Sequence, residues 1–156
     1  MDLMRLRVGE LLSGAAALAL SATLFFDWNW DRGGAAVGAS VGTESGWSSL
    51  GVVVVVLLLV AVGLALALVF TTAGKRPAAI PIGAAVLTTG VGIVVTIVLA
   101  IRVLLLDDSL EAAYLGLLSM LLIPVGSWIA MADERTDAPY SAAPDFPRRP
   151  APPAEV

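Results

Sequence analysis

The spacing of its charges constrains this chain more than any other feature. Thirty residues without a charge separate Glu44 from Lys75, 25 separate Arg76 from Arg102, and 21 separate Glu111 from Asp133. A helix rises about 1.5 Å per residue, so about 20 apolar residues cross the hydrocarbon layer of a bilayer. Each of these gaps is long enough. A fourth gap of 16 residues, between Glu10 and Asp27, suffices only if its helix starts near Val8 and carries Glu10 in the opening turn. The run that begins at Gly51, "GVVVVVLLLVAVGLALALVF", is rich in β-branched residues, which in water would suggest a buried strand. Its unbroken length decides for helix, because strands rarely pass about ten residues and an open sheet would leave edge groups unpaired in lipid.

The composition agrees. The chain is 58% hydrophobic and 14% charged, whereas a soluble domain carries about a quarter charged residues. The expected fold is all-α: an integral membrane up-down-up-down four-helix bundle over residues 1–132, with spans near 8–27, 49–71, 79–102 and 112–132. Residues 133–156, "DERTDAPYSAAPDFPRRPAPPAEV", are Pro-rich and poor in branched apolar residues, the composition of a disordered tail. The PxxP segment from Pro147 to Pro150 reads as part of that solvated tail. At the other end, Ala19-Leu20-Ser21 imitates a signal-peptide cleavage site, but the apolar run continues to Phe26, which favours an uncleaved first helix.

Orientation follows the cations. Arg5, Arg7, Lys75, Arg76, Arg135, Arg148 and Arg149 would share one side, leaving Arg32 and Arg102 on the other. The positive-inside rule then puts both termini in the cytoplasm of a multi-pass plasma-membrane protein. With no Cys and no His, thiolate chemistry and the commonest zinc ligand and general base are excluded.

Within lipid, small residues mark where helices approach closely. Ala84, Thr88, Gly92, Thr96 and Ala100 recur every four residues and form the candidate helix-packing face of the third span. Ser13, Ala17 and Ser21 in the first span, Gly63, Ala67 and Thr71 in the second, and Ala112, Gly116, Gly126 and Ala130 in the fourth show similar spacing. Thr88 and Thr96 can donate to their own i−4 carbonyls, so their hydroxyls need not signal a ligand. Pro124 removes one backbone bond and frees the Met120 carbonyl.

Three places could hold chemistry. Glu10 is the one carboxylate that could lie in the apolar layer, a candidate ion or proton site; the favoured reading has it meeting the positive end of the first helix near Arg5 or Arg7. In "LDDSLEAAY", Asp107, Asp108 and Glu111 imitate a metal-binding DDxxE. A capping box accounts for them more simply, with Asp108 as N-cap and Glu111 as its N3 partner. In "DWNWD", Asp27, Asn29 and Asp31 resemble the start of a calcium loop, but Arg32 and Gly38 stand where such a loop needs Gly and Glu. Trp28, Trp30 and, across the loop, Trp47 are read instead as interfacial anchors, the aromatic collar that the headgroup layer selects. The Gly- and Ser-rich segment between them is expected to be flexible or at most a short hairpin.

"RVGELLSGAAALALSATLFFDW", the Gly-rich loop closed by Gly46-Trp47, and "ADER" after the last span give the chain a family likeness. It resembles small uncharacterised four-transmembrane-helix proteins of high-GC actinobacteria. That resemblance implies the four-span architecture and residence in the plasma membrane, and it brings no catalytic residues. The function expected is that of a non-enzymatic integral membrane protein, accessory or envelope-organising, acting through helix–helix contacts. Its partners would be the lipid bilayer and other membrane proteins or a second copy of itself, with no nucleic acid, cofactor or metal. The alternative is a small oligomeric transporter or channel subunit using Glu10 and the Thr88–Thr96 stripe; a lipid-modifying enzyme around Asp107, Asp108 and Glu111 ranks third. Against transport, the second, third and fourth spans carry no acidic or basic side chain between residues 49 and 71, 79 and 101, or 112 and 132.

Overall fold

The computed structural model describes residues 6–31, 42–74, 79–105 and 109–137. They form helix α1 (Val8–Thr23), strands β1 (Asp27–Asp31) and β2 (Gly42–Ser45), and a single helical turn α2 (Gly46–Ser49). Three long helices follow: α3 (Val52–Ala73), α4 (Ala79–Leu104) and α5 (Glu111–Asp137). The three long helices are each long and apolar enough to cross a membrane; α1 is apolar but shorter, at 16 residues. Asp107, Asp108, Arg32, Gly38 and residues 138–156 lie outside the described residues, and with them most of the tail.

The β-branched run of α3 is helical throughout. Its outward residues are among the most exposed apolar side chains of the chain, with Val52 at 79% and Val53 at 73%. A helix that is apolar on every side is a buried or lipid-facing helix. The inward line is Leu58, Ala61, Ala65 and Leu68.

Contacts between helices run in opposite directions along the paired chains. On α5, Gly126 and Ala130 meet Gly9 of α1, while Gly116 lies by Thr23. Thr89, Gly92 and Thr96 of α4 meet Ser127, Pro124 and Met120 of α5 in turn. Thr88 of α4 reaches Leu64 of α3, and Arg102 reaches Ser49 just ahead of α3. Gly14 of α1 faces Val69 of α3. Each pair is therefore antiparallel, and the buried cluster of Ala17, Leu20, Leu58, Ala65, Leu99, Met120 and Ile123 lies among them.

The element boundaries correct four expectations. The first helix stops at Thr23 and not at residue 27, because the chain turns through Leu24–Phe26 into β1. The second span begins at Val52 and not at residue 49, because α2 lies between it and the short hairpin that the loop was expected at most to form. The last helix runs through Asp137, so residues 133–137 extend α5 and do not belong to a disordered tail. Finally, α5 begins at Glu111, which makes this residue the first of the helix and not the N3 member of a capping box. The preceding residues are held differently: Leu110 N–H donates to Trp28 O at 2.7 Å, and Ser109 forms an isolated bridge with Asn29.

The hairpin register pairs Asp27 with Ser45, Asn29 with Glu44, Trp30 with Thr43 and Asp31 with Gly42. One residue is left over between the first two pairs, so Trp28 sits on a β-bulge. That extra residue redirects its side chain, and the candidate site is organised around it.

Candidate functional site

Trp28 is fully buried. Its indole Nε1–H donates to Thr23 O at 2.6 Å, a second hydrogen bond to a carbonyl at the end of α1 that also accepts the Phe26 N–H at 3.0 Å. A Cβ at Gly46 would stand 2.9 Å from the indole nitrogen, and a Cβ at Gly116 would collide with Cζ2 of the six-membered ring. The indole thus occupies a slot that only two glycines leave open, one before α3 and one on α5. This corrects the interfacial-anchor reading of Trp28: it locks the hairpin to the helices and does not present its ring to headgroups. Trp30 supplies backbone to the hairpin, and its side chain lies outside the described residues. Trp47 is 40% exposed and meets Phe25 edge to face, with ring centroids 5.7 Å apart. Phe25 and Phe26 are both largely exposed.

Beside the Trp28 slot lies a cleft of about 510 Å³, bordered by Thr23, Phe26 and Asp27 where α1 gives way to β1 and by Leu110, Glu111 and Leu115 at the start of α5. Asp27 accepts a hydrogen bond from the Thr43 hydroxyl at 2.7 Å, which ties its carboxylate to β2. At the same end, the Arg102 guanidinium donates to Ser49 O at 3.1 Å. A cation in the last turn of α4 also suits the negative end of that helix. The Ser49 hydroxyl is buried without a partner.

The third-span stripe is divided between two neighbours. Thr88, buried, donates to Ala84 O at 2.7 Å and lies 3.3 Å from Leu64 O of α3. Gly92 faces Pro124: a Cβ there would stand 3.0 Å from the proline Cβ. Thr96 donates to Gly92 O at 2.7 Å, with Met120 O, the carbonyl freed by Pro124, at 3.4 Å. The first distance is the better hydrogen bond; the second is at the limit of one. Ala84 and Ala100 are half-buried. Thr89, next to the stripe, was not singled out by its spacing, yet its hydroxyl lies 2.9 Å from that of Ser127 on α5. Each of these two also has a carbonyl of its own helix within reach, Ala85 O for Thr89 and Ile123 O for Ser127, so one hydroxyl turns inward along its helix while the other crosses the interface.

The stripe of the second span faces away from the other helices: Gly63 and Ala67 are exposed, and a Cβ at Gly63 would meet nothing within 4 Å. The first span uses a residue one step earlier than its stripe. A Cβ at Gly126 would stand 2.6 Å from Ser13 N and 2.7 Å from Gly9 O, so α1 and α5 touch backbone to backbone. Gly9 precedes Ser13 by four residues, and extending the Ser13-Ala17-Ser21 spacing backwards would have found it. The Ser13 hydroxyl, wholly buried at this contact, has no partner.

Glu10 is 1% exposed. Its Oε2 accepts the Arg7 backbone N–H at 2.6 Å, the return half of a capping box at the start of α1. It also borders a cleft of about 300 Å³ between α1 and α3, lined by Leu11, Leu18, Leu66 and Val69. Among the described residues no group of three or more metal-ligating side chains comes together.

Comparison of the chain with family models, curated proteins and solved structures returns no match.

Proposed function

We propose that the chain is a four-span integral plasma-membrane protein with both termini in the cytoplasm, of the kind its actinobacterial resemblance suggests, and that it works through helix–helix contacts as an accessory or envelope-organising subunit. The observation that carries this reading is how its helical polar groups, the Ser13 and Ser49 hydroxyls apart, are used. Glu10 closes the first turn of α1, and the hydroxyls of Thr88, Thr89, Thr96 and Ser127 bond to helix carbonyls or to one another. Side chains so engaged build a scaffold. The outer surface is then a wall of Val, Leu, Ile and Phe, which suits lipid and other membrane helices and would be costly in water. α1 fits as a fourth pass because the apolar turn Leu24–Phe26 extends the crossing that its 16 helical residues leave short.

Because Gly92 is occupied by Pro124, the face offered to a partner helix is the open Gly63–Ala67 side of α3. Crosslinking in native membranes, followed by identification of what co-purifies, tests this. Gly63→Leu should lose the crosslinked partner at unchanged membrane level. If partners persist in that variant, the contact face is elsewhere; if native crosslinking finds neither a partner nor a second copy, the accessory role fails.

The second reading, a small oligomeric transporter or channel subunit, draws on the position of Glu10 beside the α1–α3 cleft. It requires Glu10→Gln to abolish proton flux into vesicles at unchanged protein level.

A further inference from the structure

We propose that the cleft between the end of α1 and the start of α5 is a seat for a phospholipid whose headgroup carries a primary amine. The inference rests on the membrane reading above and adds a ligand to it. Thr23, the last residue of α1, is level with Gly116 of α5. Five residues of α5, Glu111 to Leu115, therefore rise beyond the end of α1, a step of about 7 Å. The hairpin covers the Trp28 side of this step, and the rest is left as the 510 Å³ cleft, a volume within the usual range for small-molecule sites.

The lining has two characters. Phe26, Leu110, Ala112 and Leu115 offer an apolar surface to the upper part of an acyl chain, while Asp27 and Glu111, both exposed, border the same space with carboxylates. The exposed Phe25 and half-exposed Trp47 on the adjoining face put this level at the boundary between hydrocarbon and headgroups. The occupant must therefore be amphiphilic and cationic at its polar end. A primary ammonium has three N–H donors for two carboxylates, whereas a quaternary ammonium has none. An anionic headgroup without an amine would meet like charge. Hydrogen bonding of Asp27 to Thr43 holds one carboxylate in place before any lipid arrives, which lowers the ordering cost of binding.

The test uses the full chain reconstituted into vesicles of equal parts dioleoyl phosphatidylethanolamine, phosphatidylcholine and phosphatidylglycerol. Flotation first establishes insertion, and mass spectrometry of the gently extracted protein then identifies the retained lipid. Phosphatidylethanolamine should be retained about tenfold over phosphatidylcholine, the preference that charge-assisted hydrogen bonds of this kind support. The double variant Asp27→Asn, Glu111→Gln should lose that preference. Leu115→Trp, which fills the cleft from an exposed position, should lose lipid retention altogether while the thermal transition stays in place. Equal retention of the three lipids, a preference for phosphatidylglycerol, or a preference that survives both variants would overturn the proposal and leave the membrane reading standing. Failure to float would overturn both.

Discussion

α1 and α3 are both apolar helices, and they are built on opposite plans. α3 is the more hydrophobic of the two, with twenty-two residues of Val, Leu, Ala, Gly, Phe and Thr, yet it buries only Leu58, Ala61, Val62, Ala65, Leu68 and Ala73. α1 has sixteen residues, including Glu10 and two serines, and buries eight of them: Gly9, Glu10, Ser13, Gly14, Ala16, Ala17, Leu20 and Thr23. In water the bulky branched residues would seek the interior. Where lipid is the solvent they gain nothing by leaving it, and what draws helices together is close backbone approach and hydrogen bonding. On these two helices small and polar residues therefore share the inside with Leu20, Leu58 and Leu68, while Leu11, Leu18, Val52 and Val53 face outward.

Substitutions separate the two helices' plans, with thermal unfolding in detergent or nanodiscs as the readout. Trp28→Ala carries the largest expected effect, about 3–5 kcal/mol, because it empties the slot between Gly46 and Gly116 and removes the indole's hydrogen bond to Thr23 O. A loss near zero would return Trp28 to the membrane surface. Gly126→Ala adds a single methyl against Ser13 N and Gly9 O and should cost about 1–3 kcal/mol. The same change at Gly63, where space is open, should be neutral or stabilise by up to about 1 kcal/mol through helix propensity. That pair is the sharpest single contrast between the closed α1–α5 contact and the open face of α3, and equal effects would erase it. Glu10→Gln keeps an acceptor for the Arg7 N–H but removes charge from the first turn of α1, and should cost about 0.5–1 kcal/mol. Thr89→Val should cost about 0.6 kcal/mol, the usual worth of a hydrogen bond between membrane helices. The smallest effect is expected for Val53→Leu on the outer face of α3, within about 0.5 kcal/mol.

Much of the helical plan is legible from charge spacing. The gaps between Glu44 and Lys75, Arg76 and Arg102, and Glu111 and Asp133 each contain most of one long helix, and α4 begins at residue 79 as the spacing predicts. The i−4 carbonyl bonds of Thr88 and Thr96 were also readable, since they depend only on the helix that carries them. What could not be read depends on contacts across the chain. α1 ends at Thr23 because Trp28, five residues on, is drawn into a slot formed by Gly46 and Gly116, and no local pattern announces that pairing. Trp28 and Trp47 look alike beside an apolar run, although one is enclosed and the other half-exposed. Which small stripe faces inward was equally hidden: Gly92 meets a neighbour and Gly63 does not, and their four-residue spacings are the same. Thr89 escaped notice because it belongs to no stripe, and its partner is Ser127, 38 residues away.

A bilayer around the branched faces of these helices, with their buried small and polar residues shielded from it, sets a definite pattern of accessibility along α1 and α3. Site-directed nitroxides at Leu11, Ser13, Ala17 and Leu18 of α1, and at Val53, Val56, Ala61 and Ala65 of α3, test it in reconstituted vesicles. Collision with oxygen, which concentrates in lipid, would be compared with collision with a water-soluble nickel chelate. High oxygen and low nickel accessibility is predicted at Leu11, Leu18, Val53 and Val56, with both low at Ser13, Ala17, Ala61 and Ala65. Nickel accessibility along the exposed face of α3 would contradict the account, because it would mean that water and not lipid bathes those valines.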